Sequence, residues 1–428
     1  MKLKWVIPLL LLLAPGAMSA SAYSAEKLIG LNEIRTLIRQ NRSIIVEQLK
    51  RNRVYENLRQ QKIARLPDIQ LNGDGYYENS HPLHSEVKAD NSLLYHFNIY
   101  SEIDVYTGGK HRYAIERMKQ EHQMSEERLQ AIEDEVELQA YVLLYDIHRN
   151  IKYKDFIRHS IILREKEYDR INQLYKNGLI LKSDLLRSKL YITDLQKDEV
   201  SIENSIEILS DKLCVLLGMK ERYSIRPQLE EDLHYQLKES FEDLYQTALA
   251  HSPMLKMKRM SKQKEETALK EIRSKCIPHL KLFADYGVGA AKPTFDFKHQ
   301  TGGQIGAKMT FSISSFYKTR HEHKAQKHLI EREQIEYEND TENMRTALYE
   351  IFTRYNESLL NIERALEKID MSKESTRILN NSYFNQQALL IDVLESQTKA
   401  MEASFEWVEA VVDSQKYYWA LKQLCGIL

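Results

Sequence analysis

Few residues of this chain are spaced for chemistry. His321-Glu-His323, with His328 further along, comes nearest to a metal set. HxH is not the histidine spacing of a helical zinc protease, however, and a solvated polar helix face accounts for it. Thr107-Gly-Gly-Lys110 lacks the spacing of a phosphate-binding loop. Cys214, Cys276 and Cys425 lie far apart with no CxxC, which argues against a disulfide framework and a zinc site and leaves isolated small core residues. No nucleophile, acid–base pair or cofactor fingerprint stands out, so the expectation is a non-enzyme with no cofactor and no metal. The carboxylates that recur are Asp184 and Asp392, with Glu395 close behind the second. A carboxylate at a helix start favours the macrodipole and caps free N–H groups, which requires no ligand.

The elements that carry these residues must be long. The chain has 428 residues but only 14 Gly and 8 Pro, too few turn formers to punctuate the three domains its length suggests. From about Thr107 to Leu174, and again from about Phe316 to Ser382, there is no proline and, past Gly109, no glycine. Each stretch would make a helix of about 100 Å. Leu129, Ile132, Val136, Leu143 and Ile147, or Ile202, Ile206, Leu209, Leu213 and Leu216, recur at heptad-like spacing and read as coiled-coil seams. With 61 basic against 62 acidic residues there is no broad positive surface, so nucleic acid is a poor partner.

The N-terminus reads as a secretory signal peptide over residues 1–22: basic Lys2 and Lys4, an apolar run from Trp5 to Leu13, and a small-x-small cut at Ala20-Ser-Ala22. Ten or so apolar residues are too short to span ~30 Å of hydrocarbon as a helix. Nothing downstream approaches the length of a membrane helix, so a membrane span would have to be made of strands.

The chain is written twice. Tyr175–Ser188 aligns without a gap on Tyr383–Ser396, pairing Tyr175 with Tyr383, Asn177 with Asn385, Asp184 with Asp392 and Leu186 with Leu394. The same offset matches Leu213, Leu216 and Gly218 with Leu421, Leu424 and Gly426, and a similar one relates Leu31–Ala64 to Phe241–Ser274. The expected organisation is a first repeat over 23–218, a connector over 219–240 and a second repeat over 241–428. Each repeat reads helix, strand, strand, long helix, turn, helix. The shorter helices, about Leu31 to Ile63 with Ile180 to Leu217, and Phe241 to Lys275 with Leu390 to Cys425, would each sum to nearly one long helix.

The strands alternate. Ile69, Leu71, Gly73, Gly75 and Tyr77, then Leu93, Tyr95, Phe97, Ile99, Ser101, Ile103 and Val105, alternate in the first repeat; Leu280 to Val288 and Ile305 to Ile313 repeat the pattern in the second. Tyr76, Tyr77, Tyr95, Tyr100 and Tyr106 could supply an interfacial girdle or serve as ordinary strand residues. Such alternation suits a half-buried soluble sheet or a membrane barrel. Four strands cannot close a barrel, so in lipid several copies must pool them.

The duplicated order of these features, with the turn Val105-Tyr-Thr-Gly-Gly-Lys110, Tyr-x-x-Gly-x-x-x-x-x-Asp at Tyr175 to Asp184 and the closing Leu-x-x-Leu-x-Gly at Leu213 to Gly218, resembles the TolC-like outer-membrane efflux family from about Leu31 to the C-terminus. The resemblance implies a mostly α protein whose long helical hairpins form an α-barrel tunnel, with four β-strands per protomer completing a trimeric twelve-stranded β-barrel. It implies an outer-membrane exit duct of a Gram-negative bacterium. The partners would be its own copies, outer-membrane lipid, a periplasmic adaptor and an inner-membrane RND, ABC or MFS transporter. By transfer, Asp184, Ser183 and Tyr383 fall in a hydrogen-bonded periplasmic gate, Asp392 and Glu395 in an acidic constriction with raised carboxylate pKa values, and Tyr175, Gly178, Asn385 and Gln386 at adaptor-contacting tips. The sequence departs from the pattern at Ala388, where relatives can carry a gating arginine, and at Gln386, which stands where the first repeat has Gly178. A secreted coiled-coil scaffold or adhesin with a soluble sheet is the competing reading.

Overall fold

The computed structural model describes residues 26–80, 90–229, 237–291 and 298–428; the expected signal peptide over 1–22 lies outside them. The absence of helix breakers has the expected consequence. The helix α3 (Lys110–Lys176) runs unbroken for 67 residues and α7 (Ser315–Phe384) for 70. Each is followed by a shorter partner, α4 (Lys182–Leu216) and α8 (Leu390–Leu424), both of 35 residues. Between the helices lie two hairpins, β2 (Asp68–Ser80) with β3 (Asp90–Tyr106), and β5 (His279–Ala291) with β6 (Lys298–Thr310). They join into one antiparallel sheet in the order β2-β3-β5-β6. Among the described residues no helix is long and apolar enough to cross a membrane.

Two expectations of continuous helices are corrected. The stretch Leu31 to Ile63 is broken into α1 (Leu31–Leu37), a 3-10 turn (Ile38–Gln40) and α2 (Arg42–Ile63); Phe241 to Lys275 is broken into α5 (Phe241–His251) and α6 (Pro253–Ser274). In the second case Pro253 has no N–H to continue the ladder and takes the first position of a new helix instead. In the first case there is no proline. Asn41 leaves the helix in an extended conformation, and its amide Nδ2 donates to the Leu216 carbonyl at 2.7 Å, a tertiary bond that local sequence does not display.

A small parallel sheet was also absent from the sequence reading. β1 (Glu26–Ile29) pairs with β4 (Ser224–Pro227), so the connector after the first repeat returns to its start. Four residues carry too little periodicity to announce a strand. Burial of Ile29 and Ile225, and the Ile225 N–H donating to Ser210 Oγ at 3.2 Å, hold the pair in place.

The chain divides into two compact units, each built from pieces of both repeats. The described residues of the first are 26–42, 135–229, 237–239 and 350–423. Its seams bury Val136, Ala140, Tyr141, Leu144 and Ile147 from α3 and Ile206 and Leu213 from α4. Leu144, not the expected Leu143, is fully covered, because 3.6 residues per turn drift out of a strict heptad. Polar links cross the same packing: Arg35 donates to Glu137 at 2.7 Å, Tyr141 donates to the same carboxylate, and Lys416 meets Asp146 at 2.6 Å.

The second unit, with described residues 43–80, 90–134, 240–291, 298–349 and 424–428, holds the four-stranded sheet and the helical turns that lead into it. Lys264 pairs with Glu121 at 2.9 Å and Lys258 with Glu336 at 3.0 Å across adjacent helices. Half-exposed pairs of this kind are worth about 0–1 kcal/mol each, so they select register more than they stabilise.

Candidate functional site

In the first unit the turns after α3 and α7 close with the same hydrogen bonds. Gly178 N donates to Tyr175 O at 2.9 Å and Leu179 N to Leu174 O at 2.9 Å; one repeat later Gln386 N donates to Tyr383 O at 2.9 Å and Gln387 N to Ser382 O at 2.8 Å. Each turn needs one left-handed residue to reverse the chain, Gly178 at φ 73° and Gln386 at φ 63°. The turns share an apolar cluster of Ile171, Tyr383, Leu390 and Val393, with Ile180, Leu185 and Leu379 packed against it.

The predicted gate residues divide around this cluster. Tyr383 is 8% exposed, and its hydroxyl makes no hydrogen bond among the described residues. Burial pushes its pKa up to about 12, and the nearby Asp184 carboxylate adds to the rise. Tyr383 and Asp184 are thus brought together electrostatically, without the expected hydrogen bond inside one chain. Ser183 is exposed beside them, as are Tyr175, Gly178, Asn385 and Gln386 on the turns.

The two recurrent aspartates behave differently. Asp392 accepts from the Leu389 N–H at 3.4 Å, which partly caps α8, whereas α4 has no side-chain cap and Asp184 only sits in its first turn. Glu395 is exposed and paired with Lys399 at 2.7 Å, and this lysine holds its carboxyl below the usual range. Within one chain that direction is opposite to the one expected for a ring of mutually repelling carboxylates.

Sequence reasoning missed the polar node behind the cluster. Glu167 on α3 accepts from Arg164 at 2.5 Å, from Asn380 on α7 at 3.0 Å and from Gln397 on α8 at 3.1 Å. One carboxylate therefore ties three helices. Arg170 stacks on the Phe384 ring at 4.1 Å, and Thr376 meets Ser396 Oγ at 3.0 Å. Gln397 is buried while Lys189, its counterpart in the aligned repeat, is exposed. That exchange was the available signal.

The sheet of the second unit has two faces of opposite character. Leu71, Ile99, Tyr286 and Gly303 stand in one row across the strands; Gly73, Phe97, Val288 and Thr301 form the next on the same face. This face is bare, with Leu71 80% and Ile305 89% exposed. The other face carries Gln70, Tyr100, Asp285 and Gln304 in one row and Asn72 and Asn98 in the next. It is cross-linked by Asn98 to Asp285 at 2.7 Å and Lys281 to Glu102 at 3.0 Å. Of the expected girdle, Tyr77 and Tyr106 are exposed, Tyr95 is half-exposed, and Tyr100 lies on the polar face with its hydroxyl donated to Glu102 at 3.1 Å. The side chain of Tyr76 lies outside the described residues. Among the described residues β2 and β6 end the sheet with their outer edges unpaired.

The three histidines lie on α7. His323 accepts from Arg273 at 3.2 Å and His328 approaches Glu331 at 3.5 Å, so they do not converge.

No protein-family profile matches the amino-acid sequence, and no curated protein matches it. Solved structures do. The outer-membrane channel OprN superposes with a TM-score of 0.80 at 12% identity, covering 92% of this chain and 89% of that one. The outer membrane protein VceC of Vibrio cholerae gives 0.78 at 15% identity, covering 92% and 96%. The CmeC outer membrane channel of Campylobacter jejuni gives 0.77 at 13%, covering 92% and 85%. At such identities the likeness is one of fold.

Proposed function

From the TolC-like fold that this chain shares with outer-membrane channels, we propose that it is one protomer of a homotrimeric outer-membrane exit duct. The observation that carries the reading is the sheet: four strands with one exposed apolar face and, among the described residues, two unpaired edges. In lipid an unpaired edge costs several kcal/mol per bare group, and the smallest closed barrels use about eight strands. Three copies pool twelve strands and leave no edge, with the apolar rows toward lipid and the Asn98–Asp285 and Lys281–Glu102 face lining the bore. The long helices continue the duct across the periplasm as a tunnel.

The duct conducts passively, as the exit of a tripartite efflux pump or type I secretion system, passing small molecules or proteins delivered by an inner-membrane RND, ABC or MFS transporter through a periplasmic adaptor. The paired turns form its periplasmic end. There Asp184, Ser183 and Tyr383 act as the gate. A buried hydroxyl without a partner costs about 1–3 kcal/mol, so Tyr383 supports a gate whose hydrogen bond is completed by a neighbouring copy. Asp392 and Glu395 line the constriction, and Tyr175, Gly178, Asn385 and Gln386 meet the adaptor.

Heat-resistant trimers in outer-membrane fractions and stepwise ion conductance in planar bilayers are the expected results. A monomeric pool confined to the soluble periplasm, without conductance, would replace the duct by a coiled-coil scaffold. In the same bilayers Asp392→Asn with Glu395→Gln lowers cation selectivity; an unchanged reversal potential removes both residues from the constriction.

A further inference from the structure

The near-neutral charge of the whole chain conceals a strong local excess. In the second unit every helix that meets a strand carries cations in the turns next to it. Segments 58–67, 110–120, 268–279 and 315–328 together hold 14 Lys and Arg against three Glu. Two of those glutamates are already engaged, Glu271 by Arg117 at 3.2 Å and Glu322 by Lys275 at 2.7 Å. On the first turns of α7, Lys318, Arg320, Lys324 and Lys327 are exposed and make no ion pair among the described residues. Desolvation first, and then the charges of Arg273 and Lys327, hold the His323 pKa below its ordinary value.

The cations do not stand alone. At the β6–α7 junction Ile313, Phe316 and Tyr317 are exposed immediately before Lys318, and Phe311 packs edge-on against Phe316 at 5.9 Å. At the α2–β2 junction Ile63 and Leu66 are exposed between Lys62 and Arg65 and the strand. At the β3–α3 junction Val105 and Tyr106 are exposed before Lys110 and Arg112. A water-filled bore gains nothing from bare aromatic and aliphatic side chains. A membrane interface favours this order, apolar strand, aromatic and aliphatic fringe, then Lys and Arg.

We propose that the four helix–strand junctions form a cationic collar that binds the phosphates of anionic phospholipids in the leaflet facing the helices. The proposal rests on the sheet being the membrane-embedded part of a duct. The headgroup zone beside the hydrocarbon is roughly 5–8 Å deep. Lys318 to Lys327 rises about 14 Å along α7, so the first of these cations reach the phosphates directly while the later ones act through the field at the membrane surface. The collar fixes the depth at which the barrel sits and favours its insertion into anionic membrane.

The test uses the full chain with the quadruple variant Lys318→Gln, Arg320→Gln, Lys324→Gln, Lys327→Gln, all exposed positions with no ion pair among the described residues. Insertion is read by flotation with phosphatidylcholine vesicles with and without phosphatidylglycerol. The natural chain should insert roughly tenfold more into the anionic vesicles at low salt, a preference lost in high salt and in the variant but kept when lysines 318, 324 and 327 become arginine. Equal insertion of the natural chain into both vesicle types overturns the collar and leaves the duct standing. A variant that keeps the lipid preference but alters ion selectivity puts these charges in the bore and also overturns it. Failure to insert into either vesicle overturns the duct and the collar together.

Discussion

Two pairs of equivalent positions put the same backbone to different use. Gly218 and Gly426 end the closing helices of the two repeats at φ 69° and φ 68°; Gly178 and Gln386 form the turns after the long helices at φ 73° and φ 63°. All four residues are left-handed, yet one pair is glycine in both repeats and the other is not. The difference is what lies beside them. A Cβ on Gly218 would stand 2.4 Å from the Gln40 carbonyl oxygen, and one on Gly426 would stand 2.6 Å from that of His251, both at the break of the two-part helix. A Cβ on Gly178 would meet nothing within 4 Å. The closing ends are set by backbone touching backbone, where only a missing side chain fits. At the turns only the dihedral cost applies, about 1–2 kcal/mol, and Gln386 bears it.

Substitutions can break or sharpen that contrast. The largest effect is expected from Gly218→Ala or Gly426→Ala, which add dihedral strain to a displaced carbonyl and should cost on the order of 3 kcal/mol or more in urea unfolding. Neutral behaviour of both would end the steric account. Next comes Glu167→Ala. If the turns are held by side chains, removing the carboxylate shared by Arg164, Asn380 and Gln397 should loosen this end by about 2 kcal/mol, seen as faster hydrogen exchange or proteolysis confined to residues near 178 and 386. Exchange that rises uniformly along the chain would refute a local role. The smallest effects belong to the dihedral alone: Gly178→Ala should destabilise by about 1 kcal/mol and Gln386→Gly should stabilise by somewhat less, because glycine is also freer in the unfolded chain. Equal signs for the two would show that something other than φ governs the turns.

Much of the fold was legible because its elements are long and duplicated. Helices without Gly or Pro, alternating strands and a constant offset between repeats are local signals, each reinforced by its second copy. The features that escaped are made by distant residues. The break at Asn41 depends on the Leu216 carbonyl, and the short β1–β4 pair depends on a partner about 200 residues away. The candidate site was half legible. Motif alignment found the turns and placed Tyr383 near Asp184, but not the Glu167 node, since three helices must be assembled before one carboxylate can meet Asn380 and Gln397. It also could not foresee that Lys399 would neutralise Glu395, an i,i+4 pair visible in the sequence but with no stated consequence for the constriction until both side chains are seen exposed.

By itself the sequence determined the long helices and the four long strands, which strand face is apolar, and that the plan occurs twice, because hydrophobic period and the cost of Gly and Pro act within a few residues. Tertiary structure alone decided that the two hairpins join through β3 and β5 into one sheet, that the closing glycines press on backbone carbonyls, and that cations from four separate segments gather beside the strands. Those outcomes depend on contacts between residues far apart in the chain, whose geometry exists only once the helices and strands have packed.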